Sequence, residues 1–74
     1  MELYIFKIQD ENKYVKVSDK TFKSRRTKNI NDASWWFTKK NAKSWESSIR
    51  AKFPSAEIIP VDMAFKEIKF QQVK

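Results

Sequence analysis

The sequence predicts an α+β fold: a small, mainly antiparallel sheet with one helix packed on one face, in the order ββ(β)αβ(β). Three observations predict it. Two short stretches near the start alternate in strand fashion, one later stretch spaces its apolar residues as a helix does, and a β-branched run, AEIIPV, follows that helix. The 74 residues make a single domain, 1–74, without repeats or low-complexity segments. One helix laid across one sheet is the economical way to bury apolar stripes in so short a chain.

Residues 3–9 (LYIFKIQ) form the first expected strand, with Tyr4, Phe6 and Ile8 on one face and Leu3 and Ile5 on the other. Residues 13–18 (KYVKVS) form the second, with Val15 and Val17 opposed to Tyr14 and Lys16. Asp10-Glu11-Asn12 between them reads as a tight hairpin loop. Asn12 is the residue expected at positive φ, because the chain has no glycine. Apolar residues on both faces of the first strand predict a strand covered on both sides, ahead of a dimer seam. Residues 19–32 are polar and basic apart from Phe22 and Ile30, and read as a long solvated loop with a short strand allowed around Thr21 and Phe22. Trp35-Trp36-Phe37 then reads as an extended segment, Trp35 and Phe37 pointing one way and Trp36 the other.

Thr38 is placed to cap a helix over about Lys39–Lys52, where Ala42, Trp45, Ile49 and Phe53 make one apolar stripe. Pro54 stops it nearby. Residues 56–63 (AEIIPVDM) read as a strand that Pro60 assigns to an edge or a bend. A final strand is expected in residues 64–73, with Ile68 and Phe70 on one face.

The missing residue types narrow the function. Without histidine or cysteine the chain lacks the commonest general base, the thiol nucleophile, the disulfide and the usual zinc ligands. Without glycine it lacks the P-loop, the dinucleotide fingerprint and the GXXG clamp. No spaced pair of acids suggests catalysis, so the expectation is a protein that is not an enzyme and needs no cofactor or metal. The opening MELYIFK carries no basic leader and no apolar run is long enough to cross a bilayer. A cytoplasmic protein without a membrane partner is therefore expected.

The positive charge is concentrated. Ten of the sixteen basic residues and only two of the nine acidic ones fall between Lys20 and Lys52, leaving that stretch at +8 in a chain of +7. Such a field favours a polyanionic partner. Lys20, Lys23, Arg25, Arg26 and Lys28 form a run with no acid inside it, suited to phosphate contacts from a flexible arm. Lys39, Lys40 and Lys43 crowd the expected helix start against the macrodipole, where an anion would meet both lysines and free N–H groups. Core positions are expected first for both Trp35 and Trp36; of the two, Trp36 is the ring expected to be more accessible and so available for base stacking, because Trp35 shares its side with Phe37.

The segments NKYVKV, NDASWWFTKKNAKSW and AEIIPV together resemble a group of very small proteins from tailed phages and their prophages. These share an opening hairpin with a Tyr, an acid–Ala–x–x–aromatic step, a Thr- or Ser-capped helix and a closing Ile/Val strand. The resemblance implies a ββαβ accessory protein, of a kind that often binds and disables host or defence components. It transfers no active residue, and the Arg/Lys loop and paired tryptophans depart from the pattern. The reading is a non-enzymatic accessory protein that binds RNA or a ribonucleoprotein through the 20–43 face, in the host cytoplasm if phage-encoded. The alternative is an inhibitor docking on an acidic patch of a host protein without nucleic acid. Oligomeric state stays open, a homodimer included.

Overall fold

The computed structural model describes residues 2–18 and 20–62. Its elements are β1 (Glu2–Ile8), β2 (Lys13–Val17), β3 (Ser24–Thr27), a 3-10 turn (Ile30–Asp32), α1 (Lys39–Lys52) and β4 (Ala56–Asp62). The sheet is antiparallel in the order β3-β2-β1-β4, with α1 on one face, so the α+β architecture stands. The strand expected in residues 64–73 lies outside the described residues.

Asn12 closes the first hairpin at φ 52, in the left-handed region that asparagine tolerates best among the residues this chain contains. The hairpin zips only at its turn end, through Lys7↔Tyr14 and Ile8↔Lys13. Beyond that β1 and β2 part, and residues 34–36 occupy the gap. The Tyr4 amide donates to the Trp36 carbonyl and the Trp36 amide to the Tyr4 carbonyl, each at 2.9 Å. On the other side the Ser34 amide donates to the Val15 carbonyl at 3.1 Å. The Ser34 hydroxyl, fully buried, accepts from the Val17 amide at 2.8 Å and donates to the Val17 carbonyl at 3.3 Å. A serine side chain thus stands in for a ladder partner, which keeps these buried backbone groups satisfied.

The wedge sends one indole to each face of the sheet. Trp36 joins Phe6, Ile8, Val15, Val17, Ala42, Ile49 and Phe53 under the helix. Trp35 joins Leu3, Ile5, Ala33 and Val61 on the opposite face. β1 is therefore covered on both sides, as its two apolar faces predict. Trp36 is 1% exposed, not the accessible ring the alternation suggested. Extended geometry does place the rings on opposite sides, but the chain covers both sides. With its indole N–H buried and without a hydrogen-bond acceptor among the described residues, Trp36 has no face free for a base.

Thr38 caps α1, its hydroxyl accepting from the Asn41 amide at 3.1 Å, an interaction typically worth about 1 kcal/mol. Ala42, Ile49 and the terminating Phe53 are buried, while Trp45 is half-buried at the edge of the same cluster. Ser55 ties the following corner to the first hairpin, donating to the Asp10 carboxylate at 2.6 Å and accepting from the Asp10 amide at 3.3 Å. Among the described residues β4 is an edge strand. Tyr4 spends its backbone groups on Trp36, so its pairing with Pro60 is a non-hydrogen-bonded one and the proline nitrogen faces the outer edge.

Candidate nucleic-acid interface

The basic run after β2 is a second hairpin, not a loop. The strand lies at Ser24–Thr27, beginning two residues beyond Phe22, and pairs with β2 through Tyr14↔Thr27, Val15↔Arg26, Lys16↔Arg25 and Val17↔Ser24. Ser18 and residues 20–23 make the turn. Ser18 organises it, its hydroxyl accepting from the amides of Lys20 at 3.3 Å and Thr21 at 3.4 Å. Its carbonyl accepts from the Phe22 amide at 2.7 Å and its amide donates to the Lys23 carbonyl at 3.0 Å. The closure forces Phe22 to φ 56, a conformation that costs a bulky residue on the order of 1–3 kcal/mol. Its ring is 59% exposed and lies 5.9 Å from that of Trp45.

Alternation along β3 separates the two arginines. Arg26 is on the helix side, where it holds Glu11 through two hydrogen bonds of 2.6 and 3.1 Å, and its guanidinium lies 5.1 Å from the centre of the Phe53 ring. The bond to Glu11, then that residue's charge, hold its pKa above the ordinary arginine range. Arg25 points the other way, directly opposite Lys16. Like charges facing across a ladder destabilise a sheet, and an anion beside them relieves that repulsion.

Along the outer edge of β3 runs an open groove lined by Lys23, Arg25 and Lys52 with Ser18, Thr21 and Ser24. No carboxylate among the described residues lines it. Lys52 arrives from the last turn of α1 and donates to the Ser24 carbonyl at 2.6 Å, which caps an outward group of the edge strand. An ammonium has three protons, so two remain for a ligand. Lys20 and Lys28, exposed, flank the hairpin at either end.

The other lysines expected at the interface are elsewhere. Lys39 and Lys43 line a separate groove between α1 and β4, together with Arg50, Glu46, Glu57 and Ile58. Two acids there offset three bases. At 100° per residue, Lys39, Lys43 and Arg50 occupy one flank of the helix, Trp45 and Lys52 the other, and Lys40 points outward. The 20–43 stretch is thus continuous in sequence but divided by the helix in space.

Lys16, Phe22 and Lys52 are the contributors that periodicity did not single out. Lys52 was legible in principle, since it lies seven residues after Trp45 on the same helix flank. Comparison with known proteins finds no matching family, no matching curated relative and no matching solved structure. Among the described residues, no three potential metal-ligating side chains gather and no helix is long and apolar enough to cross a membrane.

Proposed function

We propose that this protein is a non-enzymatic RNA-binding module of the phage-accessory type, engaging RNA or a ribonucleoprotein through the groove along β3. The observation that carries this reading is the lining of that groove, which holds no acid among the described residues and where three cations from the second hairpin and the helix converge with three hydroxyl side chains. Cations and hydroxyls are the groups that contact phosphate oxygens. The Lys16–Arg25 juxtaposition supports it, because a sequence selected for folding alone avoids such a pair.

The test is fluorescence anisotropy of a short labelled oligouridine titrated with the full chain at several salt concentrations. With Lys20, Lys23, Arg25 and Lys52 neutralising about four phosphates, log K falls against log[salt] with a slope of roughly −3, at ~0.7 per contact on a single strand. Absence of binding at low salt, or a slope near zero, overturns the reading and leaves docking on an acidic protein surface as its replacement.

A further inference from the structure

We infer that Phe22 is a stacking platform for one unpaired base, which makes single-stranded RNA the substrate of the β3 groove. The inference rests on the RNA-binding reading above and adds to it a residue and a strand preference. Four observations converge on Phe22. Its ring is the more exposed of the two large apolar side chains found at the surface among the described residues. It is held at positive φ, where a glycine or asparagine would sit without strain. Its backbone is tied to Ser18, whose carbonyl accepts from the Phe22 amide and whose hydroxyl accepts from the amides of Lys20 and Thr21 just before it. Its neighbours Thr21 and Lys23 both line the groove, which no carboxylate of the described residues enters.

The turn requires a left-handed residue at this place, but it does not require a phenyl group. Strain retained for the sake of a side chain points to a use for that side chain. Trp45 supports the ring from one side at an interplanar angle of 37°, and that contact leaves more than half of Phe22 in solvent. A ring projecting beside phosphate-binding cations is the arrangement that takes a base with its backbone. Bases inside a duplex are already stacked on each other, so only an unpaired base reaches such a ring.

The experiment measures binding of labelled oligouridine and of a blunt RNA duplex of equal length to the parent, Phe22→Leu and Phe22→Tyr. Leucine keeps an apolar side chain over Trp45 and removes the π-face; tyrosine keeps both. The expected result is tighter binding of the single strand by the parent and an affinity about 5- to 150-fold lower for Phe22→Leu, the worth of one stacked base. The salt slope and duplex affinity of Phe22→Leu stay at parental values, and Phe22→Tyr restores single-strand binding. Equal affinity of the parent for both RNAs, or parental single-strand affinity in Phe22→Leu, overturns the stacking role while the groove still binds phosphate. Failure of the parent to bind either RNA removes the RNA-binding reading itself.

Discussion

Ser34→Ala tests the wedge that organises the whole sheet. The substitution deletes one oxygen, which accepts from the Val17 amide at 2.8 Å and donates to the Val17 carbonyl at 3.3 Å in a fully buried position. Water cannot replace it without opening the seam between β1 and β2, so an amide and a carbonyl are left unpaired. At about 1–3 kcal/mol for each buried group left unsatisfied, discounted because the 3.3 Å bond is long, the loss comes to about 2–4 kcal/mol. A domain of this size holds roughly 4–11 kcal/mol in total, at ~0.05–0.15 kcal/mol per residue. The variant therefore loses a large fraction of its stability, and its melting midpoint drops by about 12–25 °C at ~6 °C per kcal/mol. Urea denaturation followed by tryptophan fluorescence measures the change, with Ser47→Ala on the exposed helix surface as control. Native-state hydrogen exchange of the Val17 amide reports the same bond locally. A Ser34→Ala variant within ~0.5 kcal/mol of the parent, the range of ordinary surface substitutions, refutes the argument that this hydroxyl replaces a ladder partner.

Two further outcomes follow from the geometry. Arg25→Ala flattens the salt dependence of RNA binding by about 0.7 in slope, one phosphate's worth. Arg26→Ala leaves the slope unchanged, because that guanidinium is already committed to Glu11; equal losses in the two titrations would show that the faces of β3 are not distinguished. In the core, Trp36→Phe is less destabilising than Trp35→Phe, since it removes an indole N–H that has no acceptor among the described residues and whose burial costs about 1–3 kcal/mol. Urea midpoints of the pair decide the order, and a larger loss for Trp36→Phe would mean that ring volume outweighs the orphaned donor.

Local patterns in the chain were enough for those described elements whose signal is a period or a cap. The alternation of Tyr4, Phe6 and Ile8 placed β1, the stripe from Ala42 to Phe53 placed α1, and Thr38 and Pro54 marked where that helix starts and stops. Asn12 was legible as the left-handed residue because only one good substitute for glycine stood in the turn. Among the described residues β4 lies at an edge, one of the two placements, edge or bend, that Pro60 left open.

Tertiary structure decided the rest, wherever the partner of a residue lies far along the chain. β3 has no apolar residue to betray it: SRRT becomes a strand because β2 offers free backbone groups. Trp36 is buried because the segment carrying it enters a gap between two strands, and alternation specifies opposite faces without saying whether each is covered. Charge behaves in the same way. Sequence counted the cations between Lys20 and Lys52, but the fold set Arg26 against Glu11, Lys39 and Lys43 beside Glu46 and Glu57, and Lys52 next to Lys23 and Arg25. Net charge adds along a chain, whereas the field a ligand meets depends on distances, and only the folded chain fixes those.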